Sequence, residues 1–255
     1  MIRPRVIPTL LLKGRGLYKT VKFADPKYVG DPINTMRIFN DKEVDEIAVL
    51  DITASREARG PDMDQIMEIV SECFMPLAYG GGITTRDQAM RLFQCGVEKV
   101  ILNTAAVERP ELITEIAEAA GAQAVVVAID VKKPLIGGPK VYTHGGTRKT
   151  ALDPVAWAKE AQARGAGEIL LTAIDREGTM AGYDVALTRA VADAVNVPVI
   201  ACGGAGGLLD FRAVLDQGHA SAVAAGSLFV FQGPHRAVLI SYPTRAELLS
   251  LTLES

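Results

Sequence analysis

The chain repeats itself at an offset of 122 residues, so its fold must be built from two similar halves. Asp45-Glu46-Ile47-Ala48-Val49-Leu50 corresponds to Gly167-Glu168-Ile169-Leu170-Leu171-Thr172. Met75-Pro76-Leu77 followed by Gly80-Gly81-Gly82 corresponds to Val197-Pro198-Val199 followed by Gly203-Gly204. Gly96 and Gly218 then precede matching strands that end in Asn103-Thr104-Ala105 and Ala225-Gly226-Ser227. The opening strands also match, Arg5 to Leu11 against Ala124 to Asp130, with one difference. The second copy ends in an acid and the first in leucine.

Short runs rich in Val, Ile and Leu recur near 5–11, 47–51, 75–79, 99–103, 124–130, 168–173, 197–202 and 222–226. Helical patterns separate most of them: Asp62 to Phe74, Arg86 to Gln94, Pro110 to Ala120, Pro154 to Gly165 and Val185 to Val195. Continuously apolar strands are those covered on both faces, and their alternation with amphipathic helices indicates a parallel sheet. Eight such units, four and four, close naturally as an α/β fold of the (β/α)8 TIM-barrel class. An open doubly wound sheet does not explain the half-and-half repeat. At 255 residues and 49% hydrophobic content the chain can bury one substantial core. The expectation is a single domain, 1–255, with half-barrels of approximately 1–122 and 123–255. Two long loops, Leu12 to about Asn34 and Val131 to Leu152, follow strands and so belong to the C-terminal face, where barrel active sites lie.

Composition narrows the function. The net charge is −3 with basic and acidic residues interspersed, and no nucleic-acid motif is present, so no nucleic-acid partner is expected. Cys73, Cys95 and Cys202 are dispersed, as expected of buried small hydrophobes in a reducing compartment. No His, Cys or carboxylate cluster has metal spacing, so neither a metal nor a cofactor is expected. The opening Met1-Ile2-Arg3-Pro4-Arg5 leads into an apolar run that stops at Lys13, too short for a signal segment or a membrane span. A cytoplasmic protein without membrane contact is expected.

Two phosphate cradles are the clearest sites. Gly81 and Gly82 with Asn103 and Thr104 form one, and Gly203 and Gly204 with Gly226 and Ser227 form its counterpart. Glycines after strands let successive N–H groups and a helix N-terminus approach an anion. The expected ligand is a small molecule with phosphate at two separated ends. Carboxylates at strand ends come next. Asp130 closes an apolar strand, where burial beside phosphates would raise its pKa into a useful acid–base range. Asp51 is open to two roles, substrate hydroxyl binding and loop capping, and Asp175 stands at a third strand end. Lys19 by itself reads as a solvated loop lysine. His144 is the one histidine on the active-site face. At the strand starts, Arg5, Glu46, Lys99 and Glu168 read equally as surface ion pairs or as a polar ring closing the barrel.

Leu50 to Ser55, Tyr79 to Ile83, Asn103 to Val107, Ala124 to Asp130, Gly165 to Thr172, Asp175 to Thr179 and Ala201 to Gly206 carry a specific likeness. Over almost its whole length the chain resembles the cyclase subunits of imidazole glycerol phosphate synthase. The resemblance implies a two-fold repeated barrel and a glutaminase subunit docked on the N-terminal face, sending ammonia through the barrel. It implies that Arg5, Glu46, Lys99 and Glu168 form the ammonia gate at that end. Asp130 and Lys19 match the family's catalytic residues, and Asp51, Thr172, Glu177 and Gly178 its substrate-binding positions.

The departures are equally specific. Where the family's first strand reads Ile-Pro-Cys-Leu-Asp, this chain has Ile7-Pro8-Thr9-Leu10-Leu11, so Leu11 replaces a catalytic aspartate. Losing a general acid or base removes roughly 10²–10⁴ in rate. Glu177 replaces an aspartate with one methylene more. These departures, together with Leu10 to Lys13, Gly16 to Phe23, Asp25 to Asn34 and Phe229 to Pro243, resemble the acetamidino-modification paralogues associated with bacterial surface-polysaccharide (O-antigen) synthesis. That resemblance implies ammonia supply to a separate sugar amidotransferase. The alternatives are a genuine cyclase of histidine biosynthesis and a catalytically silent activator of the glutaminase.

Overall fold

The computed structural model describes residues 3–134, 136–233 and 235–251. Met1 and Ile2 of the opening run, and Leu135, Pro234 and 252–255 of the expected 1–255 unit, lie outside the described residues. Eight strands form the wall: β1 (Arg5–Lys13), β2 (Ile47–Asp51), β3 (Leu77–Gly80), β4 (Lys99–Leu102), β5 (Val125–Lys132), β6 (Glu168–Ala173), β7 (Val199–Cys202) and β8 (Ala222–Ala225). Each pairs in parallel with the next, and β8 closes on β1 with Arg5 opposite Ala222 and Ile7 opposite Ala224. The (β/α)8 barrel read from the apolar runs is the fold of this protein.

Around the wall run α1 (Pro32–Asp41), α2 (Met63–Ser71), α3 (Arg86–Gln94), α4 (Glu111–Ala120), α5 (Pro154–Ala163), α6 (Val185–Ala192), α7 (Leu208–Asp216) and α8 (Arg245–Leu249). Their starts are written in the sequence. The Asp31 carboxylate accepts from Asn34 N at 2.9 Å with Pro32 at the first helical position, and Asp153-Pro154 repeats the device. Thr85 and Gln88 form a capping box on α3. Three helices end two or three residues earlier than their apolar patterns, because turn geometry rather than hydrophobicity stops them.

Alternation along the strands divides the core. Ile7, Ala48, Ala78, Ile101, Val126 and Leu170 point inward and fill the barrel, while Val6, Val49, Tyr79, Val100, Val127 and Ile169 pack outward against the helices. Fully burying each Val, Leu or Ile among them contributes about 1.5–3 kcal/mol. Tyr242 fastens the C-terminal segment beneath the barrel by donating to Val6 O at 2.8 Å.

Four details differ from the sequence expectation. The two long loops are β-hairpins that lengthen the wall. Gly16–Val21 pairs antiparallel with the end of β1 and with Ala24–Gly30, and Lys140–Thr143 pairs with the end of β5. The glycine-rich Lys13-Gly14-Arg15-Gly16 looks like an unstructured loop yet makes a tight reversal, Gly14 having φ 55°. The repeat offset also drifts, because insertions fall in loops. Asn103 and Gly226, 123 apart, stand at the same place before the short helices Thr104–Glu108 and Ser227–Val230. Finally, the basic residues do not stay interspersed. The segments leaving the C-terminal ends of β1, β5 and β8 concentrate them at that end.

Candidate functional site

A cavity of about 560 Å³ opens at the C-terminal end of the barrel. It collects Leu11, Lys19, Asp51, Thr172, Glu177, Gly178 and Asp130 with both glycine cradles, so the residues proposed for binding and chemistry share one space. Strand register sets this out. Leu11 is paired with Leu50 and Asp130 with Thr172, and Leu50 and Thr172 are themselves equivalent in the repeat. Leu11 therefore occupies, in the first half, the place that Asp130 holds in the second. At 8% exposure it is an apolar wall of the cavity with nothing to donate or accept.

Asp130 is the carboxylate most altered by its surroundings. Burial, chiefly, pushes its carboxyl up to about 7, with the charge of Glu177 adding to the rise and a bond from the Thr172 hydroxyl opposing it. It can therefore hold or release a proton near neutrality. Cys202, beside it, is pushed up to about 11 by burial first and then by Glu177. It stays a thiol.

Lys19 is not a solvated loop lysine. The hairpin folds it into the mouth at 6% exposure, where its ammonium pairs with the Glu177 carboxylate. The Thr20 hydroxyl donates to the other Glu177 oxygen at 3.0 Å, and Lys22 N donates to Glu177 O at 2.9 Å. Gly178 is the surface on which the hairpin lands, since a Cβ there would lie 2.3 Å from Thr20 O. Lys19 also lies against Gly226 of the second cradle, where a Cβ would come 2.7 Å from its Cε.

The cradles owe their shape to backbone that other residues cannot adopt. Gly82 has φ 70° and a Cβ on it would sit 2.4 Å from Arg59 O; Gly204 has φ 110° and its Cβ would sit 2.2 Å from Gly182 O. Both open onto the cavity with Gly81 and Gly203. In the second cradle the Ser227 hydroxyl is buried and has no partner among the described residues, and the same holds for that of Thr9, which neighbours Gly226 across the β1–β8 pairing. In the first, the Asn103 amide donates to Ala128 O at 3.0 Å and Tyr142 O at 3.3 Å. It braces β4 against β5, so the donors left to a ligand there are backbone N–H groups. Thr104 Oγ1 accepts from His144 N at 2.9 Å, which places the His144 loop over this cradle.

For Asp51 the geometry favours capping over ligand binding. One oxygen accepts from Thr53 N at 3.0 Å and Ala54 N at 3.1 Å, and the other pairs with Arg59 at 2.7 Å. Arg59 has no signal in the sequence beyond lying one short loop after Asp51. Arg56, also unforeseen, donates to His144 O at 3.2 Å and Gly145 O at 2.8 Å, tying the two halves together across the mouth. Asp175 turns away from the cavity to accept from Lys133 N at 2.9 Å.

The opposite end is closed by four side chains. Arg5 lies 2.5 Å from Glu46 and 2.7 Å from Glu168, and Lys99 lies 3.0 Å from Glu46 and 3.1 Å from Glu168. Of the two arrangements open to these residues, the structure has the ring. Two cations and two carboxylates alternate, each carboxylate bridging both cations. The ring lies at the strand starts, and the apolar barrel interior separates it from the cavity at the strand ends. Among the described residues no group of His, Cys, Asp and Glu is placed to hold a metal, and no helix is long and apolar enough to cross a membrane.

Residues 5–234 match the family model described as histidine biosynthesis protein. The chain is 55% identical over 243 residues, 95% of itself and 97% of the relative, to a Pseudomonas aeruginosa protein named "Putative imidazole glycerol phosphate synthase subunit hisF2". It is 48% identical to "Putative imidazole glycerol phosphate synthase subunit HisF" of Leptospira interrogans, covering 97% and 98% of the two chains. It is 49% identical to "Putative imidazole glycerol phosphate synthase subunit hisF3" of Vibrio vulnificus, covering 97% and 95%. A duplicated barrel with a cradle in each half, and likeness of this extent along the whole barrel, have one consequence: the chain belongs to the histidine biosynthesis protein family, among its imidazole glycerol phosphate synthase subunits of the HisF type.

Proposed function

We propose that this barrel receives ammonia from a glutaminase partner seated on its N-terminal face and passes it to acetamidino-sugar formation in surface-polysaccharide synthesis. The observation that carries the reading is the contrast between the two ends. The four-membered ring is complete, while Leu11 leaves the mouth with Asp130 but no second acid in the equivalent place. A chain that kept the ammonia path and lost half of the acid–base pair is suited to handling ammonia rather than to closing an imidazole ring. Two relatives carry numbered names, hisF2 and hisF3, as additional copies of a subunit do.

One observation favours a genuine histidine-pathway cyclase instead. Both cradles persist, and two separated anion sites suit an intermediate phosphorylated at each end better than a sugar nucleotide with contiguous phosphates. Complementation separates the readings. In a bacterium deleted for its own cyclase subunit, this chain is expected not to restore growth without histidine. Restored growth would establish the cyclase reading. If the barrel only activates its glutaminase, Asp130→Asn will leave the polysaccharide product unchanged; we expect its loss.

A further inference from the structure

We propose that the rim of the barrel mouth is a docking surface for a second protein, an acceptor enzyme presenting an acidic face with apolar patches; this rests on the ammonia-handling reading above. The segments 13–30, 131–152 and 231–243 all leave the C-terminal ends of strands, β1, β5 and β8. Together they hold 11 of the chain's 27 basic residues and one of its 30 acids, Asp25. A protein of net charge −3 thus carries a strongly positive end. Because β1 and β5 stand across the barrel from one another, the charge flanks the mouth on both sides.

Little of this charge serves the cavity. Lys19 is buried on Glu177, Arg15 is turned to Glu68 and Arg148 to Glu108. Lys22, Lys27, Lys132, Lys133 and Lys149 are exposed and make no ion pair among the described residues. The same three segments also carry exposed apolar side chains that a small anion does not need: Tyr28 at 61% exposure, Ile136 at 90%, Val238 at 50% and Leu239 at 58%. Exposed apolar side chains on segments rich in unpaired like charges are the composition of a protein interface with a complementary partner. The hydrophobic parts hold and the lysines steer. A nucleic acid or an anionic lipid surface would satisfy the lysines, but neither brings an acceptor to the mouth. Ammonia released into open water would be protonated and lost as a nucleophile, so a cover that also reacts with it completes the path.

The test places a photo-crosslinking benzoylphenylalanine at position 28, and separately at 136, in the full chain expressed in its native host. Both positions are expected to give an adduct with the same protein, through a peptide of net negative charge. In Lys132→Glu/Lys133→Glu the yield should fall about tenfold, and reversing acids on the contacted peptide should restore it. No adduct at either position overturns the proposal, as does an adduct with lipid or nucleic acid, or a yield indifferent to charge reversal. Release of nitrogen-15 ammonia from labelled glutamine by the purified barrel–glutaminase complex reports on transit alone. Loss of transit would defeat the ammonia reading, whereas intact transit without a rim adduct defeats only the docking surface.

Discussion

Glu46 and Glu168, 122 residues apart in sequence, grip the same ammonium: Lys99 Nζ lies 3.0 Å from one carboxylate and 3.1 Å from the other. Arg5 binds the same two acids from the far side of the ring. The duplication supplies the acids, and closure of the barrel brings the unrelated cations between them.

Removing one cation leaves the buried Glu46 and the largely buried Glu168 sharing Arg5. Lys99→Ala should lower glutamine-dependent product formation about tenfold while ammonium-dependent formation stays within about twofold, with a stability cost on the order of 1–3 kcal/mol. Parallel assays on glutamine and on ammonium salts measure this. Equal losses in both would remove the gate role.

Asp130 makes stability depend on pH in a direction opposite to most carboxylates. In the unfolded chain it ionises near pH 4, and in the fold only near 7. Between those values the unfolded chain binds fewer protons, so stability falls as pH rises through that window and is level above it. Asp130→Asn, which cannot ionise, should therefore be more stable than the parent at pH 8, by on the order of 2 kcal/mol, and indistinguishable below pH 4. Urea titrations at the two pH values check the sign. A variant less stable at pH 8 would contradict a buried, reluctantly ionised acid.

The Lys19–Glu177 pair offers a coupling measurement. Lys19→Met should leave a buried carboxylate without its cation and cost about 3–5 kcal/mol, whereas Lys19→Met/Glu177→Gln should recover most of that. A double-mutant cycle with coupling near zero would mean that the hairpin docks through its backbone contacts at Gly178 instead.

For the cradles, Gly82→Ala and Gly204→Ala place a methyl group against backbone at a positive φ, while Gly207→Ala meets nothing within 4 Å. Each of the first two should remove one of two sites for inorganic phosphate measured by calorimetry, and the third should leave both within about twofold. Unchanged binding in Gly82→Ala or Gly204→Ala would mean that anions bind elsewhere.

Much of this was legible before any coordinates. Gly81, Gly82, Gly203 and Gly204 announce themselves because only glycine takes their backbone angles, and the repeat shows that they are two of a kind. Asp130 is visible because an acid ends an otherwise apolar strand. The burial of Lys19 was not, since it depends on a hairpin that its own glycine-rich turn disguises as a loop. Neither was the engagement of Asp51 with Arg59, because a carboxylate after a strand looks the same whether it waits for a ligand or caps its own loop. The choice between scattered ion pairs and a ring needed the closed barrel, which alone brings residues 5, 46, 99 and 168 to one level.

On the proposed function, Leu11 separates handling ammonia from closing the ring. The most direct test is turnover of the histidine-pathway ribulosyl intermediate by purified protein with ammonium, beside a Leu11→Asp variant of matched folding. Turnover by the parent should be lower by roughly 10²–10⁴ than an aspartate at that position allows, with recovery in the variant. Near-normal turnover by the parent protein would contradict it.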